Sequence, residues 1–195
     1  AQLSMEVTEV AVTPSRPGRR LAGREDLVDR LVAALKDPRR KRSLRARVAD
    51  VPPKVTEEDV WEANPVVVTV SRSAKTVRVF DRGKLTKTYR VAVGEPKYPT
   101  PTGRFAVQSM QVNPPWNVPN SDWAGDLAGK TIPGGDPRNP LIARWIGFNG
   151  SVGFHGTKSL SSLGRSASHG CVRMSPDDVK DLYERVSIGT PVLVA

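Results

Sequence analysis

From residue 66 onward, apolar and polar positions alternate with a period of two. The run 66–71 (VVVTVS) is apolar enough for a buried strand. Residues 76–80 place Val77 and Val79 around Arg78, and Asp81-Arg82-Gly83-Lys84 reads as a hairpin turn. Tyr89, Val91 and Val93 return on the next strand, which ends at Gly94. Residues 96–105 (PKYPTPTGRF) form a stiff loop before another strand, FAVQSMQV. Residues 113–140 are long and irregular but hold Trp116 and Trp123, and a loop of that kind reads as a lid or wall beside a site. Residues 141–154 (LIARWIGFNGSVGF) bring the chain to His155. Ser175-Pro176-Asp177-Asp178 predicts a helix start, with Ser as N-cap, Pro in the first position and acids in the first turn. That helix carries Val179, Leu182, Tyr183 and Val186. Gly189-Thr190-Pro191 ends it, and VLVA is a final strand.

Upstream of residue 66 the pattern differs. Residues 4–13 are rich in β-branched residues and read as a strand, and 15–20 (SRPGRR) as a turn. Residues 23–36 carry Leu27, Leu31 and Leu35 on one helical stripe with Val28 and Val32 beside it, acids at the start and Lys36 at the end. A basic run, 39–47, passes into an amphipathic strand around Leu44, Ala46 and Val48 and is read as a solvated strand face. Strand, helix and strand make a small α/β module at 1–53. Residues 54–65, with Pro52-Pro53 before them and Pro65 at their end, read as a linker in which TEED starts a helical turn. The expectation is a mainly β chain with α+β elements: a small module at 1–53, a linker at 54–65 and a β domain at 66–195.

Composition narrows the partners. The 195 residues are 38% hydrophobic and 26% charged, which supports a packed core, and 17 prolines with 16 glycines favour short strands and shaped loops over a helical bundle. The net charge of +10 favours an anionic partner such as nucleic acid, anionic lipid or a cell-wall polymer. Nucleic acid calls for aromatic platforms or a recognition motif, and the sequence shows neither, so no nucleic-acid partner is expected. There is no apolar run of the length that spans a bilayer, and the first residues lack the pattern of a signal peptide. Any membrane attachment is expected through a segment missing from this chain.

The chemistry concentrates in residues 155–174, HGTKSLSSLGRSASHGCVRM, which hold the only cysteine and both histidines. Cysteine is nucleophilic as a thiolate and needs a base, a group that orients the base, and donors for an oxyanion. His155 is the candidate base, with a backbone carbonyl able to orient its ring. Gly170 removes bulk before Cys171, so that N–H groups around 169–171 can approach a reacting carbonyl. Arg173, two residues past Cys171, falls on the same side of an extended segment and suits a carboxylate or carbonyl. A lone cysteine is otherwise a small buried hydrophobe. Zinc on His155, His169 and Cys171 would need a fourth ligand, and no H-E-x-x-H or paired C-x-x-C is present. No metal or cofactor is expected.

His155-Gly156-Thr157, a spacer of thirteen residues from Gly156 to Ser168, and His169-Gly170-Cys171-Val172-Arg173-Met174 resemble the signature of the L,D-transpeptidase (YkuD-type) catalytic domain. Tyr98-Pro99-Thr100-Pro101-Thr102-Gly103-Arg104-Phe105 is similar to that family's TPTG segment. The stretch from Pro137 to Gly147 resembles its N-P-L-x-x-R segment. The resemblance covers 66–195 and implies a β-sandwich-like domain that remodels bacterial peptidoglycan outside the cytoplasm, in the envelope or wall. It implies Cys171 as nucleophile on a donor stem peptide, with release of D-alanine. It implies His155 as base, Gly156 supplying the orienting carbonyl, and Ser168, His169 and Arg173 lining the site. An acceptor stem completes a cross-link between third residues; water makes the enzyme an L,D-carboxypeptidase, and a protein acceptor gives wall attachment. Carbapenems are the implied inhibitors. The other class is a catalytically silent wall-binding protein. Segment 1–53 resembles the tail of a small peptidoglycan-binding module.

Overall fold

The computed structural model describes residues 1–39, 41 and 43–195, with the side chain of Trp123 left out. Of the basic run 39–47, Arg40 and Arg42 therefore lie outside the described residues. The chain divides into two compact units, Ala1–Gln2 with Val12–Val60, and Leu3–Ala11 with Trp61–Ala195.

The larger unit is built on two sheets. One has five strands in the order Lys84–Arg90, Thr76–Asp81, Val66–Ser71, Pro191–Val194, Gly103–Ala106. The other has four, in the order Ser109–Val112, Ile142–Asn149, Val152–Gly156, Val172–Met174. The sheets share one core. Val68, Val70, Val77, Val79 and Tyr89 enter it from the first, Ile146, Phe148, Phe154, Val172 and Met174 from the second, and Val179 and Leu182 from the helix Pro176–Arg185. This is the expected β-sandwich-like, mainly β architecture.

Period two explains which side chains meet. Val68 and Val70 face the shared core, while Val67 packs with Phe80, Met5 and Val10 on the other face of the five-stranded sheet. Thr69 lies on that second face, and its hydroxyl donates to the Val7 carbonyl at 2.7 Å. A strand covered on both sides has to be apolar at almost every position, as VVVTVS is. The two-residue turn at Arg82 (φ 43°) and Gly83 (φ 79°) closes the hairpin between Thr76–Asp81 and Lys84–Arg90. Ser175 caps the C-terminal helix by accepting the Asp178 N–H at 3.1 Å. Tyr89 donates to Asp181 on that helix at 2.8 Å, tying it to the sheet.

The N-terminal expectations change in detail. Residues 4–13 are not one strand. Gln2–Met5 and Val10–Thr13 are separate strands, joined by a turn in which the Glu6 N–H donates to the Glu9 carbonyl at 2.8 Å. The reason lies in spacing: Met5 and Val10 are an odd number of residues apart, so a straight strand would point them to opposite faces. The turn lets both pack against Val67 and Phe80, and so Leu3–Ala11 belongs to the larger unit rather than to the small module.

Within the smaller unit, the stretch read as a turn contributes a strand, Gly18–Ala22, which pairs antiparallel with Arg47–Val51. The helix Arg24–Lys36 begins after Gly23, whose φ of 64° suits glycine. Its apolar stripe stays largely uncovered: Leu31 is 43% and Leu35 72% exposed, and Ala34 is its buried residue. The linker region contains the helix Glu57–Ala63, started by a reciprocal cap in which Thr56 N–H donates to the Asp59 carboxylate (2.8 Å) and Asp59 N–H to the Thr56 hydroxyl (3.1 Å). No helix among the described residues is long and apolar enough to cross a membrane.

Candidate active site

The four-stranded sheet carries the candidate chemistry on the face turned away from the core. Val152–Gly156 runs parallel to Val172–Met174 with Phe154 opposite Val172 and His155 opposite Arg173. Phe154, Val172 and Met174 point into the core, so His155 and Arg173 point the other way, and Cys171 shares the side of Arg173 two residues later. Across the sheet, Gln111 lies opposite Trp145, Trp145 opposite His155, and His155 opposite Arg173. This lateral row, with Cys171, Ser168 and His169, lines a cavity of about 470 Å³. The fold therefore brings the residues singled out from sequence into one place, although the glycines serve as backbone rather than as lining.

His155 is 4% exposed, and its Nδ1 lies 2.9 Å from the Gly156 carbonyl. With Nδ1 carrying the proton for that contact, Nε2 keeps a lone pair. Burial pushes the imidazole down to about 4; the Gly156 carbonyl opposes that shift, and the charge of Arg173 adds to it. Gly156 has no room for a side chain, since a Cβ would come within 2.5 Å of the Ile142 carbonyl oxygen and 3.2 Å of Val179. Cys171 is half-buried, and its thiol donates to the Ser151 carbonyl at 3.6 Å. Burial raises the thiol, while a backbone hydrogen bond from Gly153 and the Arg173 charge pull it back. Burial thus disfavours both charged forms at this cavity, the Cys171 thiolate and the His155 imidazolium.

The turn before Cys171 is held from inside. Ser168 is buried; its hydroxyl donates to the Cys171 carbonyl at 2.5 Å and accepts the Gly170 N–H at 3.2 Å. That N–H is thus engaged within the turn. Gly170 is required by its φ of 111° more than by crowding, since the nearest atoms to a Cβ there are 3.9 Å away. His169 is turned outward, with Nε2 3.8 Å from Glu95 and its ring edge-on to Tyr98 at 5.0 Å. The TPTG loop supports this corner: Thr100 is fully buried and its hydroxyl accepts the Gly94 N–H at 2.8 Å. Arg173 is half-buried, and burial lowers its guanidinium while Cys171 and Glu95 oppose that. No group of three or more His, Cys, Asp or Glu placed to hold a metal ion occurs among the described residues.

Residues 113–140 form a wall of the cavity through Pro114, Pro115, Trp116, Asn117 and Pro119. The wall is pinned at its base by Asn139, 2% exposed. The Asn139 amide donates to the carbonyls of Pro114 (2.9 Å) and Pro133 (3.0 Å), with that of Ile132 at 3.3 Å, and its oxygen accepts the Leu141 N–H at 2.8 Å. Asn139→Ala leaves these buried groups unmatched. We expect a stability loss of about 2–3 kcal/mol by urea denaturation and faster alkylation of the Cys171 thiol by iodoacetamide as the wall loosens. Unchanged values for both would show that the wall is held elsewhere.

Several site residues escaped the sequence reading. Trp145, Gln111 and Ser151 line the cavity, and Asn139 and Pro140, which lie in the N-P-L-x-x-R segment but drew no role from it, support or line it as well. Trp145 was reachable, because Ile146 and Phe148 alternate with it and claim the core face. The bulge that sets its register, with Ala143 at φ 64°, carries no sequence signal of its own. Arg144 of the N-P-L-x-x-R segment leaves the site altogether and lies over the Tyr183 ring at 5.1 Å.

Known proteins resemble this chain in sequence and in fold. The L,D-transpeptidase catalytic domain (YkuD) matches residues 65–194. The Bacillus subtilis (strain 168) protein YqjB, whose name places it provisionally among L,D-transpeptidases, is 34% identical over 143 residues, covering 70% of this chain and 74% of YqjB. The solved L,D-transpeptidase from Mycobacterium smegmatis superposes with a TM-score of 0.53 at 29% identity, over 67% of this chain and 58% of that one. The L,D-transpeptidase LdtMt1 in complex with imipenem shares the fold at a TM-score of 0.55 and 22% identity, over 77% of this chain and 63% of that one. Residues 1–64 lie outside the family match. With that match spanning most of the chain, and with the sandwich fold already described, the protein belongs to the L,D-transpeptidase (YkuD) catalytic-domain family.

Proposed function

We propose that this chain is a cysteine-dependent L,D-transpeptidase acting on peptidoglycan stem peptides outside the cytoplasm. The observation that carries the reading is the placement of Cys171 and His155 on one face of one sheet, at one cavity, with His155 Nδ1 held by the Gly156 carbonyl. In the first half-reaction the Cys171 sulfur attacks the carbonyl carbon of the third residue of a donor stem. His155 Nε2 takes the thiol proton as the C–S bond forms. The tetrahedral adduct collapses, the bond to D-alanine breaks, and the imidazolium returns its proton to the leaving amine. In the second, the side-chain amine of an acceptor's third residue attacks the thioester, His155 takes a proton from that amine, and the thiol is restored. Since the Gly170 N–H is engaged by Ser168, the Cys171 N–H is the candidate oxyanion donor in this turn. Arg173 offers a cation for a substrate carboxylate or carbonyl. Carbapenems acylate the same sulfur, a reading supported by family membership. The basic strands of the smaller unit, with Arg19, Arg20 and Arg47 exposed, suit contact with an anionic wall.

Water or a protein amine at the second step would give a carboxypeptidase or a protein-attaching enzyme. The test is incubation with tetrapeptide stems and mass analysis of the products. Cross-linked dimer with released alanine, both lost in the Cys171→Ala variant, is the expected result. Tripeptide without dimer would replace transfer by hydrolysis, and intact tetrapeptide would leave a wall-binding protein without activity.

A further inference from the structure

We propose that Trp145 is the positioning residue for the His155 imidazole, its indole lying over a floor of two glycines, stacking on the ring and keeping water from its face. The two rings are 25° from parallel with centroids 6.3 Å apart, an offset stack within the range of aromatic pairs. The indole is fixed from its other edge, where Nε1 donates to the Ser109 hydroxyl at 3.2 Å. Beneath it run Ser109, Gly147 and Gly153, paired across three strands. A Cβ on Gly147 would come within 2.8 Å of Nε1, and one on Gly153 within 2.8 Å of Cζ2. Both glycines thus leave space that the indole fills, and Trp145 itself lines the cavity with Cys171 and His155.

The groups facing His155 leave Trp145 a clear part. The strand on one side presents Arg173, with Cys171 two residues before it; Glu95 acts on Arg173 and sits beside His169. The strand on the other side presents Trp145, with Gln111 beyond it. The wall brings the Pro140 carbonyl and Leu141, and the C-terminal helix meets Gly156 through Val179, which is apolar. The low proton affinity of His155 comes first from burial. On this face of the ring, the indole supplies that burial.

The proposal rests on His155 as the base, and its test separates the two. The imidazole signals of the two histidines are followed by NMR against pH, assigned with His169→Gln, in the native chain, Trp145→Phe and Trp145→Ala. The His155 midpoint near 4 is expected to move towards 6.5 in Trp145→Ala and to stay close to native in Trp145→Phe, which keeps an aromatic face. Gly147→Ala, which displaces the indole without removing it, is expected to shift the midpoint in the same direction. Imipenem acylation near neutral pH is expected to fall roughly 10- to 100-fold in Trp145→Ala, its acid limb moving up with the midpoint. An unmoved midpoint in Trp145→Ala, or an equal shift in Trp145→Phe, overturns the proposal. A shifted midpoint with unchanged acylation keeps the positioning of the ring and removes His155 as the base.

Discussion

Replacing His155 by alanine is expected to slow imipenem acylation of Cys171 by about 10²- to 10⁴-fold, the range of a lost general base, with the sandwich still folded. The Cys171 thiol is raised by burial and the imidazole lowered to about 4, so a resting thiolate–imidazolium pair is disfavoured. In the proposed mechanism the proton leaves sulfur during attack, and His155 takes it. A base near 4 stays neutral through the physiological range, so the native rate should be flat from about pH 5 to pH 8 and fall below that on its acid side. The same shift appears in stability. The unfolded ring titrates near 6.5 and the folded one near 4, so the unfolded chain binds the extra proton in between. Stability is whole above about 6.5 and declines as pH falls towards 4, by about 3 kcal/mol at about 1.4 per unit. Urea denaturation of His155→Ala should show that decline removed. A variant that keeps full acylation would end the assignment of His155 as base.

Cys171→Ser is expected to reduce turnover of tetrapeptide stems to the limit of detection, although serine is close to cysteine in size and the turn is held by Ser168 rather than by the thiol. A hydroxyl holds its proton far more tightly than a thiol, and a base as weak as His155 is poorly matched to remove it. The pairing of a weak base with an intrinsically strong nucleophile is what the burial of this site selects. Measured release of D-alanine by Cys171→Ser at a rate near native would contradict that logic, and with it the role of the sulfur.

How much of this could be read from the chain depends on the range of the interactions. The period-two pattern of 66–71 and 76–80 announced strands, and covering on both faces accounts for the apolar run. Ser175-Pro176 announced a capped helix because capping is local. The gathering of His155, Ser168, His169, Cys171 and Arg173 followed from spacing and family resemblance, and the parallel pairing of 152–156 with 172–174 is what realises it. What stayed hidden is long-range. The Gln111–Trp145–His155–Arg173 row needs three strand registers, one of them set by a bulge at Ala143. Asn139 stands in the N-P-L-x-x-R segment, but its part in holding the wall is visible only where three carbonyls from two parts of the wall converge on its amide. The break in 4–13 was legible in part, since the odd spacing of Met5 and Val10 forbids a straight strand with both buried.

The central claim is that Cys171 forms the covalent acyl-enzyme. Intact-mass measurement after exposure to imipenem tests it most directly, on the native chain and on Cys171→Ala. The account predicts one added acyl mass on the native chain, mapped to the peptide holding Cys171, and none on the variant. An adduct that persists on folded Cys171→Ala, or a native chain that stays unmodified, would contradict it.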